Sequence, residues 1–205
     1  MTKARTIIIL FVIIVIYLIG AYSIDLLDND ATQYYTIAMN MYQSGNFMDV
    51  TWRPDYNYLD KPPLLFWLSA FSFSIFGLNH FAYRLPSILI SLLGMFSTYK
   101  LGKRLYNEQV GLYASIIYAA NFAVFVINHD VRTDTMLSGF VIFSIWQLYE
   151  YLLTKNKVSF ILAFIGIGLG MATKGPLGLL VPVLSIGPYL IYQRRWCIEI
   201  IQIIS

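Results

Sequence analysis

The sequence predicts an all-α integral membrane protein with about six transmembrane helices and juxtamembrane helices in its first outer loop. Three observations carry this. Of 205 residues, 58% are hydrophobic and 12% charged, about half the charge of an ordinary soluble chain. Mean hydropathy is +0.64. The apolar residues also gather into runs near the roughly 17–25 residues that cross a bilayer. The same composition excludes a disordered chain and a nucleic-acid binder, both of which need many more charges. The single cysteine, Cys197, leaves neither an intrachain disulfide nor a cysteine zinc site. Sixteen tyrosines suit membrane interfaces and polar cavities at membrane depth.

The first run, Ile7 to Ile24, follows Lys3 and Arg5. It exceeds the about 7–15 apolar residues of a signal peptide and no A-x-A-like site follows, so it reads as a retained span. A polar stretch over about residues 25–63 forms the first outer loop, and its Trp52, Tyr56 and Tyr58 suggest that it folds onto the membrane surface. Leu64 to Leu78, opened by Pro62-Pro63, is short for a span and reads as a helix lying at the outer interface. The later spans are Phe81 to Tyr99, Val110 to Ile127, Met136 to Leu153, Val158 to Ala172 and Leu177 to Tyr192.

Charge fixes the topology. With Leu64 to Leu78 uncrossed, Lys3, Arg5, Lys100, Lys103, Arg104, Lys155, Lys157, Arg194 and Arg195 lie inside. Arg53, Lys61, Arg84, Arg132 and Lys174 lie outside, as the positive-inside rule prefers. All eight aspartates (25, 28, 30, 49, 55, 60, 130 and 134) then fall outside and all three glutamates (108, 150 and 199) inside. Acidic residues barely influence orientation, so this clustering points to a site on the outer face.

Four outer segments carry chemistry. In Asp28-Asn29-Asp30, either aspartate can ligate a cation, accept a proton from a nucleophile, or cap the helix that begins near Thr32. In Tyr58-Leu59-Asp60-Lys61-Pro62-Pro63-Leu64, Lys61 sits on a stiff extended backbone. Its ammonium either meets a lipid phosphate or snorkels beside an interfacial helix. Tyr58 and Asp60 alternate on one side and offer two ligands for a divalent metal. His129-Asp130-Val131-Arg132-Thr133-Asp134 concentrates ionisable groups between two spans, where they are functional candidates by default. Arg132 suits pairing with Asp30 or a phosphate, and Asp134 either reacts or caps the next helix. In Thr173-Lys174-Gly175-Pro176, Lys174 is the only charge from Val158 to Gln193; it can steady a leaving phosphate or fix a carboxylate. Carboxylates with cations on one face suit transfer from a phosphate-linked donor.

These residues resemble a family. Asp30-Ala31-Thr32-Gln33-Tyr34, Ser44-Gly45-Asn46-Phe47, Tyr58 to Leu64, Phe76-Gly77, Ala82-Tyr83-Arg84-Leu85-Pro86-Ser87, Arg132-Thr133-Asp134 and Thr173 to Pro176 match in order and spacing. They resemble the N-terminal half of the GT-C membrane glycosyltransferases, in the protein-mannosyltransferase superfamily that includes the lipid A aminoarabinose transferases. Gln33 stands where close relatives often carry arginine.

The resemblance implies a polyprenyl-phosphate sugar donor, inversion at the anomeric carbon, and a lipid, glycan or protein acceptor among membrane lipids. By the same resemblance Asp30, or Asp28, is the base, Asp134 the second acidic residue and Lys61 the contact to donor phosphate. Arg132, Lys174 and Tyr34 join the substrate-binding set. Tyr58 and Asp60 stand where a relative holds a zinc-like metal, although the sequence itself requires no cofactor. Residues 1–205 are expected to be the N-terminal part of a polytopic domain, without the C-terminal helices and soluble domain of relatives. In a bacterium the membrane is the inner one, with the N-terminus cytoplasmic and the site periplasmic. A transporter-like protein, a lipid-phosphate binder without chemistry and an inactive fragment are the alternatives.

Overall fold

The computed structural model describes residues 3–24, 29–53 and 56–192; Asp25, Asp28 and Asp55 lie outside the described residues. In chain order, α1 (Lys3–Ser23) is the first apolar helix, and α2 (Asn29–Ser44) follows in the outer loop. A two-stranded antiparallel hairpin, β1 (Thr51–Arg53) and β2 (Tyr56–Asn57), leads to α3 (Leu64–Phe76). The long α4 (His80–Leu105) precedes α5 (Glu108–Ala119) and α6 (Phe122–Asp130), and α7 (Thr133–Thr154), α8 (Lys157–Lys174) and α9 (Leu177–Tyr192) close the described chain.

Helices α1, α4, α7 and α8 are long and apolar enough to cross a membrane. The expected span from Val110 to Ile127 is broken: α5 and α6 together qualify, but they meet at 49°. The cause is local. Asn121 accepts the Ala123 N–H at 2.9 Å and so starts a new helix where the run would otherwise continue. The sixth expected span, α9, has 16 residues, about 24 Å of helix against a roughly 30 Å hydrocarbon core. Leu64 to Leu78 becomes the 13-residue α3, short of a span as expected. Asparagine caps also start α4, α5 and α8: Asn79, Asn107 and Asn156 accept from Ala82, Val110 and Val158.

The outer loop folds inward as well as along the surface. Tyr58 is buried, and with Tyr34, Ile37, Leu65, Phe66, Phe73, Tyr83 and Met136 it forms the main core between α2, α3, α4 and α7. Trp52 packs against that core only in part, under the Arg53 guanidinium at 4.0 Å. The Asn40 amide donates to Thr51 O and the Trp67 indole to Phe47 O, so α2, the hairpin and α3 are tied to one another.

One side chain joins the helices beneath this outer cap. Arg84, near the start of α4, is completely buried. Its Nε donates to the His129 carbonyl at 2.7 Å. Its Nη1 donates to the Ala21 carbonyl at 3.0 Å and also to that of Ile24. These carbonyls belong to the ends of α6 and α1, where helices run out of intrahelical donors and carry partial negative charge. A guanidinium fork can meet both ends at once; a lysine ammonium has neither the reach nor the geometry.

Small residues let the spans approach. A Cβ on Gly139 of α7 would lie 2.5 Å from the Ile90 carbonyl of α4, and one on Gly178 of α9 would lie 2.3 Å from the Gly170 carbonyl carbon of α8. Close backbone contact through glycine is the usual basis of helix packing in lipid.

Gly139→Ala should therefore destabilise the fold by about 1–3 kcal/mol through overpacking, read as a lowered midpoint of thermal unfolding in detergent. Arg84→Met should cost more, because helix-end carbonyls lose their donors at about 1–3 kcal/mol each. Arg84→Lys should recover only part of that loss in the same measurement.

Candidate functional site

The antiparallel α7 and α8 form a hairpin turned at Lys155 and Asn156. Its open end brings the first turn of α7 beside the last turn of α8, and there Lys174 Nζ donates to Asp134 Oδ1. The pair spans 40 residues of sequence. Each partner also sits where its own helix favours it: an acid at an N-terminus and a base at a C-terminus. With Asp134 49% and Lys174 23% exposed, the pair adds little to stability. It fixes where the two charges stand. Gly175, at φ +66°, then lets the chain reverse into Pro176 and α9.

Tyr34 links this end of the bundle to α2 and the loop. Its ring is buried edge-on against Tyr58 and Phe66, at centroid distances of 6.1 and 5.6 Å. Burial pushes its hydroxyl pKa up, and the side-chain hydrogen bond with Tyr58 and the charges of Asp30 and Asp134 act in the same direction. Asp30 and Asp134, 104 residues apart in the chain, thus both lie within electrostatic reach of one phenol. Tyr83 holds the start of α2 in place, its hydroxyl donating to the Ala31 carbonyl at 3.0 Å.

The structure therefore gathers Asp30, Tyr34, Tyr58, Asp134 and Lys174. One expected helix cap, Asp134, is corrected, and Asp30 drops out of the two candidates for the other. Asp30 lies within the first turn of α2, which begins at Asn29 rather than near Thr32, and Asp134 lies within the first turn of α7, whose cap position is Arg132. Neither aspartate occupies the cap, and Asp28 lies outside the described residues. Asp30 is exposed, and among the described residues its side chain makes no hydrogen bond or ion pair. The same holds for the half-buried Lys61. Arg132 is half-buried and its backbone bridges the two helices: its N–H donates to Ile127 O and its carbonyl accepts from Thr135 Oγ1.

Tyr58 and Asp60 diverge in environment. Tyr58 is 4% exposed and its hydroxyl is engaged with Tyr34, whereas Asp60 is exposed. Among the described residues, no three His, Cys, Asp or Glu side chains come together as a metal would require. These two residues do not by themselves fit a metal. Sequence reasoning missed Arg84 as a structural hub; its signal was a lone cation inside an apolar run, two residues before Pro86.

The chain matches the family described as dolichyl-phosphate-mannose-protein mannosyltransferase over residues 60–204. It is 34% identical over 200 residues to undecaprenyl phosphate-alpha-4-amino-4-deoxy-L-arabinose arabinosyl transferase 2 of Proteus mirabilis, covering 95% of this chain and 36% of that protein. The corresponding arabinosyl transferase of Photorhabdus laumondii is 32% identical over 171 residues, with coverages of 81% and 31%. The fold resembles ArnT from Cupriavidus metallidurans. The TM-score is 0.82 at 19% identity to its apo structure, covering 96% of this chain and 37% of that one. Against the structure bound to undecaprenyl phosphate it is 0.83 at 18% identity, with coverages of 97% and 38%. The chain spans about a third of the length of these curated relatives.

The raised pKa of Tyr34 has a definite sign. The group holds its proton more tightly folded than unfolded, so its contribution is intact below the unfolded value of about 10 and is lost as pH rises through the folded value. Tyr34→Phe should blunt the alkaline loss of thermal stability above pH ~10, while costing about 1 kcal/mol at neutral pH from the lost hydrogen bond. An unchanged alkaline slope would contradict this placement of the hydroxyl.

Proposed function

The chain belongs to the dolichyl-phosphate-mannose-protein mannosyltransferase family, and we propose on that footing that it takes part in transferring a sugar from a polyprenyl-phosphate donor to an acceptor hydroxyl or amine, with inversion. The observation that supports this reading is the meeting of Asp30, Tyr34, Asp134 and Lys174 at one end of the bundle. Its relatives are named as undecaprenyl-phosphate-linked arabinosyl transferases, which points to the same donor class.

In this reading Asp30 takes the proton from the acceptor as its heteroatom attacks the anomeric carbon. The bond from that carbon to the phosphate oxygen breaks, and polyprenyl phosphate leaves with the bonding pair. Asp30 suits the role because its carboxylate is exposed and uncommitted among the described residues. Lys61 and Arg132 balance the charge growing on the leaving phosphate. Lys174, held by Asp134, faces the same charge, and Asp134 acts as the group that positions it. Tyr34, protonated through the physiological range, offers a neutral donor beside the two carboxylates. The acceptor is a lipid, glycan or protein. A divalent metal on Tyr58 and Asp60 would need ligands from outside the described residues. The site faces the periplasm of a bacterial inner membrane, with the N-terminus cytoplasmic, in keeping with the positive charges at the opposite end.

The test is saturable binding of a polyprenyl-phosphate sugar to the chain in detergent. Lys61→Ala should weaken binding by about 5–150-fold, the worth of a charged hydrogen bond at ~1–3 kcal/mol. Asp30→Asn should leave binding within about twofold and abolish transfer wherever transfer is measured. Donor binding that ignores Lys61→Ala, or full transfer by Asp30→Asn, would remove those residues from the mechanism.

A further inference from the structure

The end of the bundle remote from Asp30 carries a cavity of about 490 Å³ lined by basic residues, between the last two turns of α4, the later half of α7 and the first turn of α8. Its position follows from helix geometry: Gln147 in its wall is 13 residues along α7 from Asp134, about 20 Å away. Lys100, Lys103 and Arg104 line it against a single carboxylate, Glu150, which Arg104 meets at 3.1 Å. Lys103 pairs outward with Glu108 at 3.4 Å. Lys100 has no ion pair among the described residues; its ammonium lies 5.2 Å from the Phe96 ring.

Two buried polar groups face the same space. Gln147 is 5% and Ser159 6% exposed, both line the cavity, and among the described residues neither side chain has a hydrogen-bond partner. The two side chains are largely covered, yet their polar atoms keep access to the cavity and so are open to a group that enters it. Here the donors that lack a partner sit beside excess positive charge. The N-terminus of α8, capped by Asn156 on Val158 N–H, turns its positive dipole end to the same space. Trp146, edge-on to Phe96 at 5.7 Å, stands in the cavity wall as an interfacial aromatic does. Val158 and Leu162 supply apolar walls.

We propose that this cavity binds the phosphate of an anionic phospholipid head group, with Lys100, Gln147 and Ser159 as its ligands. Cations, neutral donors and apolar walls side by side fit an amphiphile better than a free anion. Basic pockets between transmembrane helices recognise such head groups. The site is separate from the donor site and independent of the activity proposed there.

The test uses the full chain in detergent, with dioleoylphosphatidylglycerol, dioleoylphosphatidylcholine or inorganic phosphate as probes and lipid retention read by native mass spectrometry. Phosphatidylglycerol should be retained in preference to phosphatidylcholine. Lys100→Gln should weaken its retention about fivefold, the worth of one basic residue near a lipid phosphate. Gln147→Leu, which leaves the charges intact and keeps an apolar helix face, should weaken it as well. Circular dichroism confirms that each variant keeps its helical content. Equal retention of the two lipids, or wild-type retention by both variants, would overturn the proposal. Inorganic phosphate that raises the thermal midpoint of the wild type but not of Lys100→Gln, without lipid selectivity, would assign the site to a free anion and overturn the lipid reading.

Discussion

A single buried guanidinium sets the outer architecture. Arg84 lies four residues into a 26-residue helix and donates to the ends of α1 and α6. In an apolar interior a cation with its donors unused would be prohibitively costly, and so would helix-end carbonyls without donors. Each problem solves the other, and the solution leaves little freedom in how α1, α4 and α6 meet. From that junction Tyr83, the preceding residue, reaches the Ala31 carbonyl and sets the start of α2. Asp30 is therefore placed through two consecutive residues of α4.

The second determinant is the antiparallel pairing of α7 with α8. Two helices of similar length, 22 and 18 residues, necessarily bring the start of one beside the end of the other. At one end this yields Asp134 against Lys174. At the other it places Glu150 and the first turn of α8 against the basic last turn of α4. The two charged ends differ in character: acids and bases mix at the first, and bases dominate the second. The span interiors between them are held by close glycine contacts and buried hydroxyls rather than by charge, consistent with helices that pack in lipid.

Much of this was legible in the sequence because membrane spans announce themselves by composition. The runs beginning at Ile7, Phe81, Met136 and Val158 became α1, α4, α7 and α8, with α4 running on past Tyr99 to Leu105. Placing both loops on one side put Asp134 and Lys174 on the same face, but left open which carboxylate, if any, Lys174 would meet. Other features were not legible. The break at Asn121 is a local capping preference inside an otherwise apolar run, and hydropathy does not register it. The inward turn of Tyr58 depends on Tyr34 and Phe66, residues of other elements, so its aromatic character alone suggested a membrane surface instead. Asp134, and Asp30 as one of two candidates, read as caps because aspartate favours that position, but each helix begins one residue before its aspartate. Arg84 looked like one more outer charge; only the three-dimensional meeting of two helix ends reveals why a cation is buried there.

The account rests on one end of the bundle being the donor site, and the most direct measurement is where a donor head group touches the chain. A polyprenyl phosphate carrying a photoreactive diazirine beside its phosphate, cross-linked to the chain and mapped by peptide mass spectrometry, answers that. Cross-links concentrated at the start of α2, around Lys61 and at the α7–α8 end near Lys174 are the expected result. Cross-links confined to the far end of the bundle, around Lys100 to Arg104, would contradict the assignment of the site.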